Sequence, residues 1–102
     1  MKMDKIIEII DGDLAPIIPR FMDNSKRELE AMLQALEAGE YETLSRLGHN
    51  TKGAGFGYGF MGMGEIGRTI EQSAKENDEQ ACRTAADELR HYLECVEVQY
   101  QK

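Results

Sequence analysis

One hundred and two residues make a single domain with its own core and leave no room for a second. With 19 acidic against 12 basic side chains, the net charge is -7 and the pI about 4.8. That balance excludes a nucleic-acid partner and an anionic membrane surface, since both need clustered Lys and Arg. The expected partners are proteins.

Two cysteines, Cys82 and Cys95, sit thirteen residues apart among helix-forming residues. On one helix they would lie about 20 Å apart, too far for a disulfide, so they read as reduced thiols. The opening Met1–Ile10 is too short and too acidic for a signal peptide. No stretch approaches the ~18 apolar residues of a membrane span. The expected location is the cytoplasm. A Met start and the lack of a linker tail point to a free-standing protein.

Residues 1–12 form an apolar lead-in closed by the turn pair Asp11-Gly12, either extended or a short helix, lying across the bundle. The first helix is expected from about Leu14 to Ala38, with Asp13 as its N-cap and Pro16 in its first turn. Pro19, one turn deeper, either kinks it or sets a later start. Ile18, Phe21, Met22, Leu29, Met32, Leu33 and Leu36 form its apolar face, and Gly39 its stop. The second helix runs from about Tyr41 to Tyr58, with Leu44, Leu47, Gly48, Thr51, Gly55 and Tyr58 inward. The third, about Met61 to Glu76, turns Met63, Ile66, Ile70 and Ala74 inward. After Asn77-Asp78, the fourth runs from Glu79 to near the C-terminus, with Cys82, Ala85, Leu89, Leu93, Val96 and Tyr100 inward. Strand signals are confined to Ile6–Ile10. Four amphipathic helices on short turns pack as an all-α, antiparallel up-down four-helix bundle with a short N-terminal lead-in.

The second helix has a far face that core packing does not explain. At roughly 100° per residue, His49 falls opposite the inward stripe together with Ser45, Lys52, Gly53 and Phe56, and with Phe60 if the helix reaches that far. Lys52 and Gly53 are its i+3 and i+4 neighbours. Histidine is a nucleophile above its usual pKa of ~6.5, and its ring nitrogen can take and give up a phosphoryl group. On that reading Lys52 neutralises phosphoryl charge, Gly53 gives a partner clearance, and Phe56 with Phe60 anchors the docking. Each helix glycine costs about 0.5–1 kcal/mol relative to alanine, so Gly48, Gly53, Gly55 and Gly57 need justification. Gly48 and Gly55 fit close helix approach, Gly59 a helix end. Gly53 is left over.

The run Gly48-His49-Asn50-Thr51-Lys52-Gly53, followed by Gly59, resembles the histidine phosphotransfer family, whose hallmark is His-x-x-Lys-Gly on the second long helix of a four-helix bundle with a further Gly ten residues after the histidine. The resemblance implies one such domain over residues 1–102. It implies that His49 carries a phosphoryl group between the aspartates of receiver domains, or from a histidine kinase to a response regulator. Lys52 would be its electrostatic helper and Gly53 the clearance for the receiver. The receiver would supply the aspartate, the Mg²⁺ and most catalytic groups. This domain would be a phosphocarrier, not an enzyme, with no cofactor or metal of its own, and a monomer. Two departures stand out: Thr51 replaces the apolar residue usual there, and the segment after Lys52 is richer in glycine than usual.

Other readings carry less. Two GxGxxG strings, starting at Gly57 and Gly62, follow a helix and lack the strand of a dinucleotide site. His91 and Cys95 have i, i+4 spacing but no third ligand. The rival of a different class is a helical adaptor that binds signalling proteins through the His49/Phe56 face without phosphorylation.

Overall fold

A computed structural model describes residues 5–102; of the lead-in, residues 1–4 lie outside the described part. The elements in order are β1 (Ile6–Asp11), a 3-10 turn (Gly12–Ile17), α1 (Ile18–Glu37), α2 (Tyr41–Tyr58), α3 (Met61–Lys75), α4 (Glu79–Cys95) and β2 (Val96–Gln101). Four helices dominate, with one apolar face of each forming a shared core that includes Met32, Leu44, Met63, Ile70 and Leu89. No helix among the described residues is long and apolar enough to cross a membrane.

Three expectations change at the ends of the chain. The first helix begins at Ile18, not Leu14, because Pro16 and Pro19 withhold two backbone donors and a 3-10 turn takes up the difference. Asp11 caps that 3-10 turn, its carboxylate accepting from the Asp13 amide at 2.9 Å, and α1 itself, for which Asp13 had been expected, has no side-chain cap. The fourth helix stops at Cys95, and the fold is therefore not purely α-helical. Residues Val96–Gln101 pair in parallel with β1, Ile6 opposite Val96 and Asp11 opposite Gln101. Tyr100, expected inward on a helix, is exposed on this strand.

The strand pair is fastened to the bundle by its inward face. Ile10 is fully buried, and Glu8 beside it reaches two donors: the Gly62 amide at 2.9 Å and the Tyr92 hydroxyl at 2.7 Å. The Gly62 amide belongs to the first turn of α3, whose N–H groups have no partner within the helix. A carboxylate there is favoured by the helix dipole as well as by the hydrogen bond. Burial, then the neighbouring Glu8, push the Tyr92 hydroxyl well above the usual tyrosine range, so it remains a donor.

Helices α2 and α3 approach most closely, and glycine makes it possible. A Cβ built on Gly55 would lie 2.5 Å from the Gly64 nitrogen, and one on Gly48 would lie 2.7 Å from the Glu71 nitrogen. A Cβ on Gly67 would run into the backbone of Lys52. The two helices touch backbone to backbone. Gly53 and Gly57, by contrast, face open space.

This contrast is measurable. Gly55→Ala is expected to cost about 1–3 kcal/mol through overpacking, despite alanine's higher helix propensity. Gly57→Ala, with nothing to meet, is expected to gain about 0.5–1 kcal/mol. Urea midpoints at unchanged slope would report both.

Candidate functional site

The close approach of α2 and α3 decides what stands beside His49. Gly48 precedes the histidine and lies against the backbone of Glu71, so the Glu71 side chain emerges directly at the imidazole. Its Oε2 lies 3.1 Å from His49 Nδ1 and 3.3 Å from Lys75 Nζ, while its Oε1 lies 2.9 Å from Lys52 Nζ. One carboxylate thus collects an imidazole and two ammonium groups. The Glu71 side chain is 13% exposed and the His49 side chain 62%. The anchor is sheltered and the ring is offered to solvent.

Hydrogen bonding to Lys52, followed by Lys75 and the charge of both, lowers the Glu71 carboxyl from the ordinary 4.5 to about 2 against the opposing effect of desolvation. The carboxylate is ionised at neutral pH and can only accept. The proton in the His49–Glu71 contact therefore sits on Nδ1. In the neutral ring the lone pair is then on Nε2, the nitrogen turned away from Glu71. That is the arrangement a nucleophilic imidazole needs.

The remaining expected site residues are placed as follows. Lys52 stands beside His49 but is engaged with Glu71, its side chain 31% exposed. Gly53 is exposed, with nothing near a prospective Cβ. Ser45 is half-buried and lines an open cleft of about 500 Å³ with Tyr41, Arg46, His49, Glu71 and Lys75. Phe56 is half-buried: its ring covers Gly64, and the Arg68 guanidinium lies 5.3 Å from its centroid. Phe60 is a correction. It is fully buried, stacked on Phe21 with centroids 5.0 Å apart, and cannot anchor a partner at the surface. Gly59, at φ 92°, ends α2 in a left-handed turn, so residue 60 leaves the helical period and swings into the core.

Three residues of this surface escape a reading of the second helix alone: Glu71, Lys75 and Arg68, all on α3. The Glu71–Lys75 pair has legible i, i+4 spacing. The contact of Glu71 with His49 crosses helices over 22 residues and leaves no local signal. Elsewhere, His91 lies 3.7 Å from Cys95 Sγ, and no group of three or more potential metal ligands occurs among the described residues.

A helical bundle that presents one imidazole from a helix face, oriented by a carboxylate and flanked by ammonium groups, is the form of a domain built around a single histidine. Residues 17–98 match the family model of the Hpt domain, and the chain belongs to that family. Its members serve histidine phosphotransfer in phosphorelays, as phosphocarriers rather than catalysts. Comparison with curated proteins gives no match, and neither does comparison with solved structures.

The electrostatics of Glu71 are open to direct test. Because folding lowers its pKa, the stability it contributes is present above about 4.5 and is lost as pH falls towards about 2. Wild type is expected to lose more stability than Glu71→Gln across that window. Urea titrations at stepped pH would show the two curves converging on the acid side.

Proposed function

We propose that His49 is the phosphoacceptor of this domain, taking a phosphoryl group from an aspartyl phosphate of one receiver domain and passing it to an aspartate of another. A histidine kinase as donor and a response regulator as acceptor fit the same chemistry. The observation that carries the reading is the contact of His49 Nδ1 with the ionised Glu71, which leaves Nε2 as the outward lone pair.

In the step proposed, the Nε2 lone pair attacks phosphorus. The N–P bond forms as the bond from phosphorus to the aspartyl oxygen breaks, and the electron pair leaves with the aspartate as carboxylate. The ring, still protonated on Nδ1, becomes cationic, and Glu71 stands 3.1 Å away to balance that charge. Lys52, in line with the helix face, neutralises phosphoryl oxygens in transit. Gly53 leaves room for the receiver to close, and Phe56 with Arg68 borders the contact. Onward transfer reverses the step. The receiver's Mg²⁺ and aspartate do the remaining work, so the domain needs no cofactor of its own.

The same reading takes residues 1–102 as one domain and a monomer, with its helices running up and down in antiparallel order. Connections of three, two and three residues between consecutive helices support that order. Two free, buried thiols fit a reducing cytoplasm.

His49→Gln is expected to abolish acid-labile, alkali-stable labelling from a phosphorylated receiver while leaving the circular dichroism of the bundle unchanged. Glu71→Gln is expected to slow transfer about tenfold, the scale of one charge-assisted hydrogen bond. Absence of label on folded wild type from several receivers would favour the adaptor instead. A third variant separates docking from chemistry. Gly53→Leu is expected to fold at least as stably as wild type yet slow transfer from receivers, with labelling by a small phosphodonor retained.

A further inference from the structure

The two lysines at the site do not contact the same oxygen of Glu71. Lys52 holds Oε1, whereas Lys75 shares Oε2 with the imidazole, at 3.3 Å and 3.1 Å respectively. Two local features favour Lys75 there, its side chain 59% exposed. It stands one turn after Glu71, and it occupies the last turn of α3, where the helix dipole favours a cation. It also lines the cleft on whose wall His49 lies. The charged groups around the ring are Glu42, Arg46 and Lys52 from α2, and Glu71 and Lys75 from α3, with Arg68 one turn before Glu71 over Phe56. Of these, Lys75 is the ammonium on the same oxygen as the ring.

An acceptor oxygen shared with an ammonium is a weaker acceptor for a second donor, because the cation draws its lone-pair density. The consequence falls on Nδ1. A phosphoryl group leaves Nε2 readily when Nδ1 keeps its proton, because the departing ring is then neutral imidazole and not imidazolate. We propose that Lys75 is a positioning residue acting through Glu71: by occupying Oε2 it moderates the carboxylate's hold on the Nδ1 proton and prolongs the life of the phosphoryl group on His49. The inference rests on His49 as the phosphoacceptor. In the loss it restrains, a water oxygen attacks phosphorus and the N–P bond breaks. The electron pair stays on Nε2, the water proton goes to the released phosphate, and the ring remains protonated on Nδ1.

The test uses the full chain with His91→Gln, so that His49 is the one imidazole of the two in the sequence. Wild type at position 75, Lys75→Gln and Lys75→Arg are labelled with phosphoramidate, which needs no partner protein. Two readouts follow: the first-order loss of label against pH, and the ¹⁵N–¹H correlations of the unphosphorylated ring, which report the tautomer. For Lys75→Gln the expected result is loss about two- to fivefold faster above neutral pH, together with a larger Nδ1–H fraction. Lys75→Arg, which restores the cation, is expected to match wild type in both. Unchanged spectra and decay in Lys75→Gln would overturn the proposal, as would an Arg variant as fast as the Gln variant. Failure of wild type to take label on His49 would overturn the phosphoacceptor reading itself, and the spectra alone would then decide whether Lys75 acts on the ring.

Discussion

The backbone contact between α2 and α3 is the constraint on which the site depends. Two helices separated by ordinary side chains stand 8–10 Å apart, a spacing at which each side chain chiefly meets those facing it. Here Gly48 and Gly55 on one helix, with Gly64 and Gly67 on the other, remove the intervening Cβ atoms. The result fixes relative height as well as distance. Gly48 against the Glu71 backbone places the carboxylate level with His49, and Gly67 against Lys52 places the next turn in step. Thr51, on the inward side of the same turn, is buried. The chemistry on the outer face and the packing on the inner face therefore follow from one register.

That register has an energetic cost, and the cost explains the rest of the architecture. Four glycines within α2 weaken it as an isolated helix by about 0.5–1 kcal/mol each. Its stability comes from tertiary contact, chiefly with α3. The first turn of α3 is in turn secured by Glu8 from β1, whose carboxylate also fixes Tyr92 of α4. The terminal strand pair thus bears on the site indirectly: it holds the start of the helix whose other end carries Glu71 and Lys75. The match to the family spans residues 17–98, so β1 lies before it and the end of β2 beyond it.

How much of this was legible in sequence depended on whether the cause was local. Helix periods were local, and the buried stripes Leu44, Leu47, Thr51 of α2 and Met63, Ile70, Ala74 of α3 fell where spacing placed them. The roles of Gly48 and Gly55 in close approach were legible for the same reason, since each sits on the inward stripe. Phe60 was misplaced because the helical period was carried past Gly59, where a left-handed residue breaks it. The last six residues of strand were misread because Leu89, Leu93, Val96 and Tyr100 satisfy a helical spacing, whereas Val96-Glu97-Val98 also alternates. Only a partner strand some 90 residues earlier decides between them. Glu71 was invisible on similar grounds: nothing near it in sequence marks a glutamate as the neighbour of a histidine on another helix.

The charge of the site runs against that of the molecule. The chain carries a net charge of -7, yet around His49 the carboxylates of Glu42 and Glu71 are met by Arg46, Lys52 and Lys75. At physiological ionic strength the screening length is about 8 Å, so acidic side chains elsewhere on the surface would be largely hidden from a phosphoryl group arriving at His49 on the proposed reading. What such a group would meet is the near field: Arg46, Lys52, Lys75 and the ring, with Glu42 on the cleft wall and Glu71 sheltered beside the imidazole. Glu71 has two functions there that pull in opposite directions. On the proposed reading it orients the neutral imidazole through Nδ1, which leaves the Nε2 lone pair outward, and it would repel a phosphoryl dianion were it left bare. Two lysines on its two oxygens reconcile these demands, because they cancel the carboxylate's field towards solvent while leaving one lone pair for Nδ1. Lys52 alone would leave Oε2, the oxygen that faces the ring, uncovered. On the proposed reading, the arrangement of charges as much as the histidine itself suits this helix face to receiving a phosphoryl group.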